Sequence, residues 1–168
     1  MIATETIQAE IFKGFHPTSK VWIYSSNRML IDSEAEQINS NLVEFTKQWV
    51  SHNIALKASG KVFYNRFVVL VVDESVENPG GCSIDKSVHF IKSIESQFDL
   101  KLFDRLTLYY KSGTEMKSFH FNDLKSKITS GEISENTEIY DTTLTQLGLF
   151  QTEFIKEAGQ SWLSKFIN

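Results

Sequence analysis

One apolar run constrains this chain more than any other feature. Residues 68–72 are Val, Val, Leu, Val and Val, and Asp73 and Glu74 follow them directly. A strand with one solvent-facing side alternates apolar and polar residues, so an unbroken run indicates a strand that is covered on both faces. We therefore expect residues 66–73 to form the central strand of a sheet.

An amphipathic segment before this strand predicts a first helix. Ile38, Leu42, Phe45 and Trp49 follow one another at offsets of four, three and four residues, which places them on one helical stripe. Ser33 and Glu36 have the spacing of a capping box at the helix start, and we expect the helix to end near residues 52–53. Trp49 lies on the apolar stripe and is expected in the core.

A second helix is expected after the central strand. Ser83 is a suitable N-cap, and Asp85 would then lie in the first turn, where the helix dipole favours a carboxylate. The expected buried stripe consists of Ile84, Val88, Ile91, Ile94 and Phe98.

The order of the elements predicts an α+β fold. With strands expected at residues 21–24, 56–64 and 106–110 and a left-handed turn at Asn65, the pattern is β-α-β-β-α-β, which is typical of ferredoxin-like domains. The expected organisation is an N-terminal arm at 1–18, a ferredoxin-like domain at 19–113 and a small C-terminal α/β extension at 114–168. In the extension we expect a short helix that stops at Gly131, a strand at 137–140 and a final helical turn at 161–166.

Composition excludes several classes of function. The 168 residues carry a net charge of −4 and their basic residues are scattered, which argues against nucleic-acid binding. The start of the chain lacks signal-peptide features, and no stretch approaches the roughly 18 apolar residues of a membrane span. A single cysteine excludes an internal disulfide, and the four histidines show no metal-ligand spacing. We expect a cytoplasmic protein without metal or cofactor.

Several short sequence segments resemble segments of a known protein family. They are Val21-Trp22-Ile23-Tyr24, Tyr64-Asn65-Arg66-Phe67, Val72-Asp73-Glu74, Gly81-Cys82-Ser83-Ile84-Asp85 and Phe103-Asp104-Arg105. From about residue 19 to residue 162 the chain resembles a family of short proteins from Bacteroidetes-type bacteria that is commonly labelled ABC transporter ATPase. The resemblance implies a bacterial, cytoplasmic origin and supplies no catalytic residues.

The residues do not support ATP hydrolysis. A phosphate loop has the pattern G-x-x-x-x-G-K-[ST], in which backbone amides wrap the phosphates and the lysine reaches them. Gly80, Lys86 and Ser87 fit this pattern, but Asp85 stands where the second glycine is required, and its carboxylate would repel phosphate. The apolar strand with its acidic end also precedes the loop instead of following it.

Cys82 is the first candidate for chemistry. A thiol at a helix N-terminus becomes more nucleophilic because the dipole and the unpaired amides favour the thiolate. His89 is the nearest base in sequence, but seven residues of helix place it about 10 Å away along the axis, so a base would have to come from elsewhere. The alternative is a buried, inert cysteine that fills space behind the turn.

Residues 80–85 are also a candidate anion site. The backbone amides after Gly80 and Gly81 could hold a small anion at the helix start, although capping by Ser83 would occupy the same amides. Asp73 and Glu74 lie at the end of a buried strand, a common position for ligands. Because neighbouring residues in a strand point to opposite faces, these two carboxylates are not an acid/base pair.

The side chain of Asp73 could instead have a structural role. It could form a structural ion pair with Arg66 or Arg105, or accept hydrogen bonds from the amides of residues 75–81. Of these interpretations, a structural ion pair is the one we expect.

Two hypotheses about function remain. The first is a non-enzymatic module that binds a protein partner or forms a homodimer, with an interface around residues 75–85 and Trp162, although Trp162 could equally dock on its own domain. The second is a small-anion-binding protein or a thiol enzyme with its site at residues 80–85. That site would combine Cys82, Ser83, Asp85 and Asp73 with either Arg66 or Arg105.

Overall fold

The structure, a computed structural model, describes residues 10–167 and is of the α+β class. Its contacts divide the chain into two units. Unit 1 comprises the residues up to Asp104 together with Leu144–Gln151, and unit 2 comprises Arg105–Thr143 and the residues from Thr152 onward. The strands are β1 (Lys20–Ser25), β2 (Val50–Ser51), β3 (Ile54–Ala55), β4 (Lys57–Phe63), β5 (Phe67–Asp73), β6 (Thr107–Ser112), β7 (Glu115–His120), β8 (Glu138–Tyr140) and β9 (Ile155–Glu157). The helices are α1 (Asp32–Gln48), α2 (Gly81–Phe98), α3 (Leu124–Thr129), α4 (Leu147–Glu153) and α5 (Ser164–Ile167), with 3₁₀ turns at Phe121–Asp123 and Ala158–Gln160.

Strand β5 is the centre of the unit 1 sheet, as predicted from its apolar run. The sheet has the order β1-β5-β4, both neighbours run antiparallel to β5, and every residue of β5 is buried. On one face, Val68 and Leu70 pack into a core built largely from α1 and α2. On the other face, Phe63 lies opposite Phe67 and contacts Phe150, at a ring-centroid distance of 5.3 Å.

The fourth strand predicted for this sheet lies elsewhere. Residues 106–110 do form a strand, β6, but β6 pairs with β7 and β8 in the sheet of unit 2. Its pairing with β7 is a hairpin closed at Gly113, whose φ of +64° suits the tight turn. This local pairing takes up the strand, so the four-stranded ferredoxin-like sheet is not formed. The start of β1 instead bonds residues 144–147, with the Val21 amide donating to the Thr145 carbonyl at 2.9 Å.

Helix α1 buries the predicted stripe but starts and ends earlier than expected. Ile38 and Leu42 are fully buried. The predicted capping box of Ser33 and Glu36 is wrong because the helix begins at Asp32 with Ile31 at the N-cap. Glu34 is then the third helical residue, and its carboxylate accepts the Ile31 amide at 3.1 Å. Ile31 has no polar side chain, so only this half of a capping box forms.

A hairpin stops helix α1 before residues 52–53. His52 and Asn53 have φ values of +51° and +64° and connect β2 to β3. Two consecutive left-handed residues are the signature of a type I′ hairpin turn, and a right-handed helix cannot continue through them. Asn65 occupies a left-handed turn as predicted, and Tyr64 shares that conformation.

Helix α2 also begins earlier than expected. Gly80 is the N-cap and Gly81 the first helical residue, so the prediction of Ser83 as N-cap is wrong. Ser83 is the third helical residue, and its hydroxyl donates to the Gly80 carbonyl at 2.7 Å, a bond that serine commonly makes within helices. Asp85 consequently lies beyond the first turn. Of the predicted stripe, Ile91 and Ile94 are fully buried.

Unit 2 contains a four-stranded antiparallel sheet of order β7-β6-β8-β9. The predicted helix before Gly131 is present as α3, and Gly131 has the expected positive φ of 81°. The core of the unit consists of Tyr110, Phe119, Leu124, Ile133, Ile139, Ala158 and Leu163.

The predicted N-terminal arm is described only in part. Residues 1–9 lie outside the described residues. Within residues 10–18, Phe12 is buried and its ring packs on Phe63 at 6.2 Å, so this part of the arm belongs to the core of unit 1.

Candidate functional site

The turn at residues 80–85 is held by structural hydrogen bonds. The Gly80 amide donates to Ser51 Oγ at 3.1 Å. The Ser83 carbonyl accepts the indole N–H of the buried Trp49 at 2.8 Å, and the Ser83 side chain is itself buried. Cys82 and Asp85 are exposed. The interpretation of Cys82 as a buried space-filling residue is therefore wrong, since α2 starts early enough to turn its side chain outward.

Asp73 is the most strongly engaged carboxylate of unit 1. Its partners are the Lys57 ammonium at 3.3 Å, the His16 amide at 3.1 Å, and the Ser75 amide and hydroxyl at 3.0 and 2.7 Å. Burial works to raise the pKa of the carboxyl, but the hydrogen bonds, with that of the Ser75 hydroxyl the largest, outweigh it and hold the pKa well below its usual range. A structural ion pair was predicted for Asp73, with Arg66 or Arg105 as its partner. The ion pair is present, but its partner is Lys57.

Arg66 and Asp73 are not brought together. They flank β5 at opposite ends, roughly 20 Å apart at about 3.3 Å per residue, and Arg66 Nε donates to the Ser26 carbonyl at 2.7 Å. Arg105 belongs to unit 2. Within unit 1, the expected combination of Asp73, Arg66 and the turn at residues 80–85 is therefore not assembled into one site.

Unit 2 contains a cavity of about 320 Å³, which we call the unit 2 cavity. Its walls are mainly aliphatic and aromatic. The lining residues are Arg105, Leu106, Thr107, Leu108, Tyr109, Phe119, Phe121, Ile133, Ile139, Tyr140, Thr142, Thr143, Trp162 and Leu163. Ile133 and Leu163 are almost completely buried, whereas Arg105, Leu106 and Thr143 are exposed. The buried members therefore form the interior, and the exposed members mark the mouth.

The cavity forms where β8 stops pairing with β6. The ladder joins Tyr109 to Tyr140 and Tyr110 to Ile139, and the chain then leaves β8 at Asp141 while β6 extends back to Thr107. Side chains from the unmatched part of β6 and from the segment after β8 enclose the space.

The segment after β8 is fixed by a buried ion pair. Asp141 Oδ2 lies 2.8 Å from Lys156 Nζ, and both side chains are largely buried. The other oxygen of Asp141 accepts the amide of Thr143 at 3.0 Å and also its hydroxyl. Because Thr142 and Thr143 line the unit 2 cavity, this cluster holds one side of the mouth in place.

Trp162 closes another side of the cavity. It follows the Ala158–Gln160 turn, where the Ser161 hydroxyl donates to the Ala158 carbonyl at 2.8 Å and accepts the Leu163 amide at 3.0 Å. Its ring lies 6.2 Å from that of Phe121. Trp162 is half-buried against its own unit, which agrees with the docking alternative considered for it.

A second polar cluster of unit 2 lies outside the lining residues. The Tyr110 hydroxyl donates to Glu132 Oε1, and Lys127 Nζ lies 2.8 Å from Glu132 Oε2. Burial above all, and then the bond to Glu132, raises the pKa of Tyr110 to about 12. The bonds from Lys127 and Tyr110 lower the pKa of the Glu132 carboxyl. This cluster ties β6 to the segment after α3.

Sequence reasoning did not find the unit 2 cavity. The residues that line it are apolar or uncharged with the exception of Arg105, and such residues carry no motif. One available signal was the Ser112-Gly113 dipeptide between segments of strand-forming residues, which is typical of a hairpin. That signal predicts β7 but not the point at which β8 stops pairing.

No group of three or more His, Cys, Asp or Glu side chains among residues 10–167 is arranged to hold a metal ion. No helix in that range combines the length and apolar character that a membrane span requires.

Comparisons of the chain with family models, with curated proteins and with solved structures gave no match. The resemblance to the family labelled ABC transporter ATPase therefore stays a prediction that rests on its quoted residues.

Proposed function

We propose that this protein is a non-catalytic binding protein that holds a small, mainly apolar molecule in the unit 2 cavity. The observation that carries the proposal is an apolar space of about 320 Å³ that has an exposed mouth. Ligand sites in proteins are concave, mostly apolar and about 300–1,000 Å³ in volume, with a few polar groups that orient the ligand. The lining includes polar residues, among them Thr107 and Thr142.

The absence of catalytic groups around the cavity supports binding without chemistry. The lining residues that the structure describes include no His, Cys, Lys, Asp or Glu, which are the side chains most used for acid–base and nucleophilic catalysis. Asp141, which directly precedes the lining residues Thr142 and Thr143, is engaged with Lys156 and Thr143.

A thiol enzyme or an anion site at residues 80–85 has less support. Cys82 is exposed there, but within unit 1 the groups expected to assist it are engaged elsewhere: Ser83 is bonded to the Gly80 carbonyl, and Asp73 is bonded to Lys57.

Tryptophan fluorescence tests the proposal directly. Trp162 is one of three tryptophans in the chain and the one that lines the unit 2 cavity, while Trp22 and Trp49 belong to unit 1. Neutral aromatic probes such as benzyl alcohol and naphthol should change the emission and raise the Tm. The emission change should disappear in Trp162→Phe and persist in Trp22→Phe.

A cavity-filling variant provides a second readout. Thr142→Phe places a ring into the cavity and should weaken probe binding, whereas Thr114→Phe, at an exposed position in the β6–β7 turn, should leave binding unchanged. Equal binding by both variants, or no binding of any probe by the parent protein, would contradict the proposal.

A protein partner or a second copy of the chain is the second candidate. Val76, within the expected interface at residues 75–85, is 56% exposed, and Phe166, whose ring lies 6.0 Å from that of Trp162, is 43% exposed. Exposed apolar side chains of this kind are candidate contact residues. Light scattering at micromolar concentration and pull-down from a related bacterium should then detect a complex that Val76→Ser or Phe166→Ser weakens. A strictly monomeric protein that recovers no partner would remove this candidate.

A further inference from the structure

We propose that the ligand of the unit 2 cavity is a neutral, flat aromatic molecule of one or two fused rings. This inference rests on the proposed function, because it names the chemical class of the molecule that the same cavity binds.

Two aromatic lining residues offer ring surface that is not used up by stacking between them. Phe121 and Trp162 are half-buried, and their ring centroids lie 6.2 Å apart at an interplanar angle of 33°. In unit 1, by contrast, Phe45 and Phe90 form a true stack, with centroids 4.3 Å apart and an angle of 6°. Aromatic rings pack favourably in offset or edge-to-face arrangements. A flat aromatic ligand therefore suits the walls at Phe121 and Trp162 better than a flexible chain.

A third ring supports this pair from outside the lining. The ring of Phe166 lies 5.8 Å from that of Phe121 at an angle of 79°, and 6.0 Å from that of Trp162 at an angle of 90°. Side chains that are already held by packing lose little conformational freedom when a ligand binds. The remaining aromatic lining residues are Tyr109, Phe119 and Tyr140.

The polar side chains of the lining favour a ligand without charge. Arg105 is the one charged residue among the lining residues that the structure describes, and it already has an interaction partner. The Thr143 hydroxyl donates to Asp141. An ionised ligand would lose water without gaining an uncommitted counter-charge in the lining, and that loss weakens binding.

The volume limits the size of the ligand. An apolar cavity of about 150 Å³ is enough for one benzene molecule. The unit 2 cavity, at about 320 Å³, is roughly twice that size. One ring or two fused rings with a short substituent therefore fit, whereas a dinucleotide cofactor is too large.

The first test compares aromatic probes with their saturated counterparts on the full-length protein. The pairs are benzyl alcohol with cyclohexylmethanol, and 2-naphthol with decahydro-2-naphthol, so the hydroxyl group is kept within each pair. A saturated ring exposes more apolar surface, so transfer out of water alone favours the saturated probe. We expect calorimetry to show that each aromatic probe binds about threefold to tenfold more tightly than its saturated counterpart, the difference that contact between aromatic rings typically makes.

The second test varies the charge on one ring system. The probes are 2-naphthalenemethanol, 2-naphthoate and 2-naphthylmethylammonium, which are neutral, negative and positive at pH 7. We expect the neutral probe to bind about tenfold or more tightly than either ion, because neither ion finds an uncommitted counter-charge in the lining.

A ring-deleting variant locates the contact. Phe121→Leu keeps an apolar side chain in the lining and removes its ring, so the preference for aromatic over saturated probes should fall to about twofold or less. Phe103→Leu makes the same change in unit 1, outside the lining, and should keep the full preference.

The outcomes separate the two proposals. If saturated probes bind as tightly as aromatic ones, or ions as tightly as the neutral probe, the neutral aromatic class is overturned and the apolar binding site stands. An aromatic preference that survives unchanged in Phe121→Leu also overturns it. If no probe of any kind binds while the protein is folded, as judged by a cooperative thermal transition, both proposals are overturned.

Discussion

Lys57 Nζ lies 3.3 Å from Asp73 Oδ2, and the two residues face each other across the β4–β5 ladder. The carboxylate is almost fully buried, while the lysine is about one-third exposed, so the pair closes the end of the central strand at the surface. Ser75 completes the arrangement from the residues after the strand. Asp73, which lies at the end of a buried strand where ligands commonly bind, therefore caps that strand.

Unit 2 repeats the same arrangement. Asp141 directly follows β8, accepts the amide and hydroxyl of Thr143 two residues later, and pairs with Lys156 from the neighbouring strand at 2.8 Å. Both units thus end a strand with an aspartate, a hydroxyl residue two positions on, and a lysine from the adjacent antiparallel strand. The repetition favours a structural role for both aspartates.

We expect Asp73→Asn to lower the free energy of unfolding by about 2 kcal/mol at pH 7, because it leaves buried donors without their carboxylate. The loss should be pH-dependent. The folded-state pKa of Asp73 is lowered, so its contribution is present above its unfolded pKa of about 4 and is lost as the pH falls below that value. Urea unfolding should show a smaller difference in the free energy of unfolding between parent and variant at pH 3 than at pH 7.

Glu74→Gln is the matched control for that experiment. Glu74 is the neighbouring acid, its side chain is 38% exposed, and its bond to Lys20 is 3.4 Å long. A surface pair of this kind contributes less than about 1 kcal/mol, so the control should unfold nearly as the parent does. If Asp73→Asn lowered the free energy of unfolding equally at both pH values, the structural role of the Asp73 carboxylate would be contradicted.

Gly60→Ala should destabilise unit 1 by about 2 kcal/mol. A Cβ atom at this position would lie 2.9 Å from the Val69 carbonyl oxygen and 3.0 Å from Leu42 Cδ2, because α1 packs directly on β4. Gly81→Ala is the control, since it starts a helix and a Cβ atom there meets nothing within 4 Å. We expect the control to be neutral or slightly stabilising, measured by thermal unfolding. Similar losses for both variants would show that the close approach at Gly60 is unimportant.

Ser19→Ala should leave the protein as stable as the parent, or more stable by up to about 1 kcal/mol. Its hydroxyl is buried and has no hydrogen-bond partner among the residues that the structure describes. Ser161→Ala provides the contrast, because the Ser161 hydroxyl makes two hydrogen bonds, to Ala158 and from Leu163. That variant should lose about 1 kcal/mol in chemical denaturation. A clear loss for Ser19→Ala would mean that its hydroxyl has a partner after all.

Tyr110 should ionise later than an ordinary tyrosine. Its pKa is raised to about 12, so the stability that it contributes is complete below its unfolded pKa of about 10 and is lost as the pH rises from 10 to 12. Phenolate absorbance should show a late-titrating group among the five tyrosines of the chain, and Tyr110→Phe should remove it. At pH 8 the same variant should be about 1 kcal/mol less stable than the parent. Titration of every phenol near pH 10 would contradict the buried bond to Glu132.

The sequence predicted those parts of the fold that local patterns determine. The covered strand β5, the stripe of α1 and the stop at Gly131 follow from periodicity and from residue conformation. Helix starts were less accurate, because Ser33 and Ser83 both suit an N-cap but lie inside the first turn. The local pattern ranks candidate caps, whereas the packing of the whole helix decides which residue is the first.

The unit 2 cavity could not be predicted from local sequence patterns. The strand β6 was predicted, but its membership in the unit 2 sheet depends on its hairpin with β7 and on its pairing with β8, which lies much further along the chain. The unit 2 cavity depends on the point where β8 turns away and on the return of Trp162, and neither leaves a mark in the nearby sequence. The residues that did carry recognisable chemistry, Cys82 and Asp73, are an exposed thiol and a strand cap.

Residues 144–151 belong to unit 1, although they follow the first segment of unit 2 along the chain. Phe150 is fully buried in that unit against Phe63, and the Thr145 carbonyl bonds the start of β1. A ribosome delivers the chain from its N-terminus, so all of Arg105–Thr143 must be synthesised before unit 1 receives its last pieces. The nascent first unit therefore exposes part of its central sheet until residues 144–151 have been synthesised, and it completes its fold only after all of Arg105–Thr143 has been made.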